Sequence, residues 1–191
     1  QMAFRDELTG LPGRRALNER LQRLGRNYVL AMSDVDHFKK FNDTHGHDVG
    51  DQVLRLVASK LSKVGGGGRA YRYGGEEFAL VFAGKTLDEC MPHLDELREA
   101  IAVYNIHLRN QENRPQDDQQ GRQRRAGTRA TSVSVTVSIG VAERMPEQRT
   151  AEEVLKAADK ALYSAKSAGR NCVVAYGQTR RGAVRTTEIP A

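Results

Sequence analysis

The stretch from residue 69 to residue 82 constrains the fold more than any other part of the chain, because it holds two strand-like runs joined by a very short turn. The strand-like runs 69–73 and 78–82 flank the segment Gly74-Gly75-Glu76-Glu77. Two such runs around a Gly-Gly turn predict a β-hairpin, whose strands must run antiparallel. The chain is therefore predicted to contain a sheet with at least one antiparallel pair.

The patterns on either side of this hairpin predict helices and strands in alternation. Leu17, Leu21 and Leu24 recur at helical spacing before a glycine, and the mostly apolar run 28–35 predicts a buried strand. The other predicted elements are helices over 53–61, 86–106 and 150–168 and strands over 133–142 and 172–176. Because helical crossovers allow parallel pairing, the predicted fold class is α/β of the α+β type, with a mixed central sheet flanked by helices.

Composition limits the class of protein. A chain of 191 residues with 39% hydrophobic and 28% charged residues is typical of one globular domain. Its two cysteines, Cys90 and Cys172, are too few for a zinc cluster or a secreted disulfide scaffold. The sequence contains no run long enough to span a membrane and no signal-peptide pattern. We therefore predict a soluble cytoplasmic domain, or the cytoplasmic part of a membrane-attached protein.

The net charge of +6 is concentrated in two polar segments. Residues 107–131 carry six arginines and three acids, and residues 177–191 carry three arginines and one acid. The remainder is nearly neutral, so a nucleic-acid-binding face is not indicated. We predict one domain over 1–176 with a solvated insertion at about 109–131, followed by a disordered tail over 177–191. The alternative for the insertion is an arginine-rich docking surface for an acidic partner or a membrane.

Two acidic spots indicate a metal site when they are taken together. Asp34 and Asp36 lie at the end of the predicted strand 28–35, and Glu76 and Glu77 lie at the tip of the hairpin. Each spot alone is typical of a solvated strand end. Together they suit Mg²⁺, which takes oxygen ligands and often only one or two carboxylates plus substrate phosphates. The glycines before Glu76 either allow a ligand to approach the backbone closely or simply form the turn.

The segments around these acids contain candidate phosphate contacts. The turn after the strand, at His37 to Lys39, can direct backbone N–H groups at phosphates. Lys166 and Arg170 lie four residues apart, which predicts that they share a helical face. They suit either phosphate oxygens or the helix dipole. His45 and His47 lack a third nitrogen ligand nearby in the sequence, so they make a weak case for zinc.

Several motifs in order resemble the GGDEF domain of the diguanylate cyclase family. The run 72–78 (RYGGEEF) resembles the family signature, 6–15 (DELTGLPGRR) its opening motif, and 34–51 (DVDHFKKFNDTHGHDVGD) its metal and substrate segment. The runs 138–142 (SIGVA) and 158–171 (ADKALYSAKSAGRN) complete a match that covers about 6–175 apart from the insertion. The resemblance implies a nucleotidyl-cyclase-like fold with a ferredoxin-like βαββαβ core and a largely antiparallel sheet.

The resemblance also implies an activity and a set of site residues. Family members join two GTP molecules into cyclic di-GMP and release two pyrophosphates. By similarity, Mg²⁺, or alternatively Mn²⁺, is held by Asp34, the carbonyl of Val35 and Glu76, and either Glu76 or Glu77 is the catalytic base. The implied substrate contacts are Gly74 and Gly75 at the turn, His37, Phe38, Lys39, Lys166 and Arg170 for the phosphates, and Asn42, His47 and Asp51 for guanine.

Catalysis by the family takes place in a homodimer, and an upstream sensor or receiver domain usually controls it. This chain begins a few residues before the first motif, so we expect such a domain in a longer protein. The family's product-inhibition site is an Arg-x-x-Asp motif ending five residues before the signature. Gly65 to Gly68 stand at those positions here, so that site is predicted to be missing. A second departure is Gly13, where the family often has asparagine.

The sequence leaves one main alternative to an active cyclase. A silent GGDEF domain can bind GTP or cyclic di-GMP as a regulatory module. Degenerate domains usually lose the signature acids, whereas Glu76 and Glu77 are both present, and a product receptor is expected to keep the product site. Both features favour the enzyme.

Overall fold

The computed structural model describes residues 5–108 and 132–177. Within these ranges the chain forms five helices and seven strands. The helices are α1 (Arg14–Gln22), α2 (Phe38–His45), α3 (His47–Leu61), α4 (Leu87–Ala102) and α5 (Ala151–Ser167). The strands are β1 (Tyr28–Val35), β2 (Arg69–Gly74), β3 (Glu77–Ala83), β4 (Ile106–His107), β5 (Ser132–Val133), β6 (Val137–Glu143) and β7 (Val173–Ala175).

Five strands form one sheet in the order β2-β3-β1-β6-β7. Three neighbouring pairs are antiparallel and the β6–β7 pair is parallel. The hairpin predicted around Gly74 is β2–β3. Strands β1, β2, β3 and β6 with helices α3 and α4 make the βαββαβ core, so the predicted mixed and largely antiparallel sheet is confirmed.

Helices cover both faces of the sheet, which explains why the central strand is apolar throughout. All eight residues of β1 are buried. Val29 and Ala31 face the cluster formed with α3 and α4, whereas Leu30 and Met32 face the cluster formed with α1 and α5. The alternation follows from the two-residue period of a strand. The buried carboxylates, Asp34 and Asp36, lie where β1 ends.

The structure contains one helix that was not predicted, and several predicted boundaries were wrong. Helix α2 was not predicted, since its sequence has few apolar residues and His37, its N-cap, makes no side-chain cap. Helix α4 ends at Ala102, short of the predicted residue 106. The predicted strand 133–142 divides into β5, which pairs with β4, and β6. The predicted insertion at 109–131 and the predicted tail beyond 177 lie outside the described residues.

In the described part of the chain no helix is both long enough and apolar enough to cross a membrane. Neither cysteine forms a disulfide: Cys90 is buried and Cys172 is half-buried. Burial raises the pKa of the Cys90 thiol to about 12, as expected for an inert core thiol.

Candidate active site

Three predicted site residues meet where β1 and β3 reach the edge of the sheet. Asp34 of β1 and Glu77 of β3 are direct cross-strand partners, and residues directly opposite each other point to the same face. Lys166, in the last turn of α5, donates a hydrogen bond to Asp34 Oδ2. The result is a half-enclosed cluster of two carboxylates and one ammonium group.

The carboxylates of this cluster stand in an unfavourable environment for negative charge. Burial raises the pKa of Asp34; Lys166 opposes this shift, and Glu76 and Asp36 add to it. Burial also raises the pKa of Glu77, and the neighbouring Asp34 charge raises it further. One ammonium group therefore faces an excess of carboxylates, and a further cation at this place is electrostatically favoured.

The protein supplies few ready-made metal ligands here. In residues 5–108 and 132–177, no group of three or more His, Cys, Asp or Glu side chains is arranged to hold a metal ion. The donor chemistry nevertheless fits Mg²⁺ or Mn²⁺, because hard cations accept one or two carboxylates and take their remaining oxygens from phosphates and water. The excess negative charge around Asp34 supports that fit.

Arg72 holds the glycine turn against the start of the chain, which the sequence did not predict. Its Nε and Nη2 donate to the carbonyl of Gly75 at 3.2 and 2.6 Å, and its Nη1 donates to Asp6 Oδ2 at 2.9 Å. Gly75 has φ +50°, and Gly74 lies beside it. Burial opposes ionisation of Asp6, but the bonds from Arg72 and Thr9 bring its pKa below the usual value. The sequence signal that could have indicated this contact is that Asp6 and Arg72 lie within two of the matched motifs, 6–15 and 72–78.

The start of α2 follows directly after β1. His37 adopts a left-handed conformation with φ +57° and no side-chain cap. The first N–H groups of a helix have no intrahelical acceptor, so those of Phe38 and Lys39 point along the helix axis beside the end of β1. The side chains of His37 and Lys39 are exposed, whereas Phe38 is buried in the core.

The tight turn between α2 and α3 places Asn42 against Gly50, the residue before Asp51. A Cβ on Gly50 would lie 1.8 Å from Asn42 Oδ1, so this glycine permits the close approach of the two helices. Asn42 Oδ1 is buried and has no hydrogen-bond partner in the described residues. Asp51, next to Gly50, is half-buried, and His47 is exposed at the start of α3.

The structure corrects one prediction about Lys166 and Arg170. The two residues do not share a helical face, because α5 ends at Ser167 and Gly169 takes φ +114°. Arg170 follows in a left-handed conformation with φ +64°, exposed at the same end of the sheet. The two cations therefore come from the helix and from the turn after it.

Gly65 to Gly68 form the turn between α3 and β2. Gly66 and Gly67 have φ +71° and +78°, which side chains rarely adopt. A Cβ on Gly65 would lie 2.5 Å from the imidazole of His93. The backbone conformation of this turn therefore favours glycine, and its four residues contain no Arg-x-x-Asp motif.

The βαββαβ sheet, with acids at the end of its first strand, agrees with the fold that the resemblance implies. A sequence model described as "Diguanylate cyclase, GGDEF domain" matches residues 3–119 and 119–172. The chain belongs to the GGDEF domain family.

Curated relatives and a solved structure agree with this assignment. The chain is 36% identical over 179 residues to diguanylate cyclase DgcP of Pseudomonas aeruginosa, and 35% identical over 182 residues to response regulator PleD of Caulobacter vibrioides. These matches cover 90% and 91% of this chain but only 24% and 36% of those relatives. The GGDEF domain of DgcB from Caulobacter crescentus, solved in complex with c-di-GMP, is 35% identical with a TM-score of 0.77, covering 92% of this chain and 94% of that one.

Proposed function

We propose that this chain is the catalytic domain of a diguanylate cyclase, which condenses two GTP molecules into cyclic di-GMP and two pyrophosphates. The observation that carries the proposal is the pairing of Asp34 with Glu77 across β1 and β3, next to Lys166 and within an intact signature. The named cyclases among the relatives support it.

The acidic cluster is the proposed metal and reaction centre. Asp34, the carbonyl of Val35 and Glu76 would hold Mg²⁺, or Mn²⁺ in its place. When bound, the ion would polarise the α-phosphate and favour the ionised 3′-hydroxyl. Glu76, in the turn, and Glu77, opposite Asp34, are the two candidate bases that take the hydroxyl proton. Gly74 and Gly75 leave this side of the turn free of side chains.

The triphosphate would lie between the start of α2 and the end of α5. The N–H groups of His37, Phe38 and Lys39 suit the β- and γ-phosphates, since a helix N-terminus favours negative charge. Lys166 contributes a point charge and Arg170 a planar fork. With the phosphates held at both sides, the α-phosphate would stand close to Asp34.

The guanine base would be read by Asn42 and Asp51, with His47 beside them. Guanine presents N–H donors on one edge, and a carboxylate only accepts hydrogen bonds. The unpaired carboxamide oxygen of Asn42 supports a polar ligand at this place. Adenine lacks the matching donor pair, so Asp51 would remain unpaired beside it, and this favours GTP over ATP.

Replacing Asp51 with serine is expected to relax the preference for GTP over ATP by roughly tenfold or more, because the carboxylate that rejects adenine is removed. The measurement is competition between the two nucleotides for binding to the purified chain. Asp48→Ser is the matched control, since Asp48 is exposed on the same helix. Unchanged discrimination in Asp51→Ser would contradict the role.

Two GTP molecules must react with each other, so the proposed active form is a homodimer. Each 3′-hydroxyl has to reach the opposite α-phosphate in line, and a two-fold arrangement of sites supplies this proximity. We also propose that a sensor or receiver domain elsewhere in the protein promotes dimerisation. The relatives, which are much longer than this chain, are consistent with further domains.

The test of the proposed function is incubation of the purified chain with GTP and magnesium, followed by chromatography of the products. We expect cyclic di-GMP from the wild type and none from Glu77→Ala or Glu76→Ala. If the wild type forms no product, a coiled-coil fusion supplies the dimer. Turnover rescued by the fusion supports the cyclase, and continued inactivity with retained GTP binding favours the silent regulatory module.

Cyclic di-GMP is expected to inhibit turnover weakly or not at all, because Gly65 to Gly68 offer no arginine or carboxylate to a product molecule. Steady-state rates measured with added product test this expectation. Strong inhibition by sub-micromolar cyclic di-GMP would contradict it, unless a variant outside this turn removes the inhibition and so identifies a different site.

A further inference from the structure

Asp36 is a buried carboxylate that the proposed chemistry does not use. Its residue is 6% exposed, and it follows the end of β1. Asp36 Oδ1 accepts from Ser138 Oγ at 2.6 Å, and Oδ2 accepts from Thr136 Oγ1 at 2.7 Å and from the backbone N–H of Asn171 at 3.0 Å. The carboxylate thus joins the end of β1, the start of β6 and the turn between α5 and β7.

The turn that Asp36 holds is conformationally strained. Gly169, Arg170 and Asn171 all have positive φ, at +114°, +64° and +47°. Residues other than glycine rarely adopt a positive φ, and they keep this conformation only where their surroundings fix it. Here Arg98 Nη1 donates to Asn171 Oδ1 at 2.9 Å, and Asp36 binds the Asn171 N–H.

The strained turn carries Arg170, which is exposed and for which no side-chain hydrogen bond or ion pair is found within residues 5–108 and 132–177. Lys166 is held separately, by its position in α5 and by its bond to Asp34. The fixed conformation of the turn therefore sets the place and direction in which the Arg170 side chain leaves the backbone, and it does not set those of Lys166.

We propose that Asp36 is a positioning residue that holds the turn 169–171 so that Arg170 faces the triphosphate end of a bound nucleotide. This inference rests on the proposed function for its ligand. Asp36 acts through the Asn171 N–H and does not itself contact the nucleotide.

The substitution Asp36→Asn separates this role from general stability. An asparagine oxygen can still accept from Ser138, and the hydroxyl of Thr136 can rotate to accept from the new amide. If the amide group replaces Oδ2, it faces the Asn171 N–H, donor against donor, and this bond is lost. If the oxygen replaces Oδ2, Ser138 Oγ accepts from the amide, and the charge-assisted bond to the Asn171 N–H becomes a weaker neutral one. Thr136→Val is the matched control, because it removes one hydrogen bond to Asp36 and leaves the Asn171 N–H paired.

Binding of the α,β-methylene analogue of GTP, with magnesium, measures the effect without turnover. We expect Asp36→Asn to weaken binding about tenfold and Thr136→Val to change it less than about twofold, at comparable losses of thermal stability. If both variants weaken binding in proportion to their loss of stability, Asp36 is only structural and the proposal is overturned.

A double-mutant cycle tests whether Asp36 acts through Arg170. Arg170→Ala alone is expected to weaken binding of the same analogue about tenfold, and adding Asp36→Asn should weaken it by less than about twofold more. In a Lys166→Ala background, Asp36→Asn should keep its full effect. If Asp36→Asn weakens binding of the analogue as much in the Arg170→Ala background as in the wild type, the proposal is overturned.

Hydrogen exchange of the Asn171 amide gives a readout that does not depend on nucleotide. In Asp36→Asn we expect this amide to exchange at least about tenfold faster, while amides in the middle of α5 keep their rates. If the exchange rate of the Asn171 amide is unchanged in Asp36→Asn, the proposal is overturned whatever the binding data show. If the wild type binds no guanine nucleotide, the proposed function has failed, and the exchange experiment still decides whether Asp36 holds the turn.

Discussion

Asp34→Asn is expected to reduce cyclic di-GMP formation by roughly a thousandfold or more, which corresponds to about 4 kcal/mol of transition-state stabilisation. Asparagine is neutral, so it is a weaker ligand for a divalent cation and cannot balance its charge. The side chain is buried beside Glu77 and Lys166. The measurement is the rate of pyrophosphate release from GTP and magnesium, in the dimerised form if the chain alone is slow.

The control for this prediction is Glu96→Gln, which makes the same chemical change on an exposed position of α4. It should keep wild-type turnover. Thermal unfolding of Asp34→Asn should stay close to the wild type, because Lys166 is about one third exposed and can turn toward water. Turnover within about tenfold of the wild type in a folded Asp34→Asn would contradict the role of this carboxylate.

Gly140→Ala is expected to cause the largest loss of stability among the substitutions considered. A Cβ on Gly140 of β6 would lie 2.0 Å from the backbone nitrogen of Leu162 and 2.2 Å from the carbonyl oxygen of Ala158. Both atoms belong to the α5 backbone, which cannot move aside as a side chain can. Helix α5 must therefore shift from the sheet, at a cost of roughly 3 kcal/mol or more.

Thermal unfolding measures this effect, and for a domain of this size we expect the Tm to fall by about 6 to 12 °C. Gly25→Ala is the matched control, since no atom lies within 4 Å of its added Cβ, and its Tm should not change appreciably. A Gly140→Ala variant that unfolds within about 2 °C of the wild type would show that β6 and α5 can separate without cost.

The candidate site divides into residues that could be found from the sequence and residues that could not. Asp34, Glu76 and Glu77 could be named as candidates because acids at the end of an apolar run and at a hairpin tip form local patterns. Arg72 was missed, although its bonds to Gly75 and Asp6 hold the turn. Its partner is 66 positions away in the chain, and a pattern within one segment cannot reveal such a contact.

The pair of cations illustrates the same limit. Spacing predicted that Lys166 and Arg170 share a helical face, yet the helix ends between them. Gly169 was recognised as the end of the helix, but the left-handed conformation of Arg170 depends on bonds made by Asp36 and Arg98 to the next residue. Those bonds join three distant segments.

Local sequence patterns were enough to predict the hairpin, the buried central strand, the mixed sheet and the chemical types at the site, because two-residue and helical periodicities and turn glycines act over short stretches of chain. Only the folded chain shows that Asp34 pairs with Glu77 across β1 and β3, that Lys166 reaches Asp34, and that Asp36 holds the turn of Arg170. These relations follow from strand register and from packing of α5 on the sheet, where free energy depends on contacts between residues far apart in the chain.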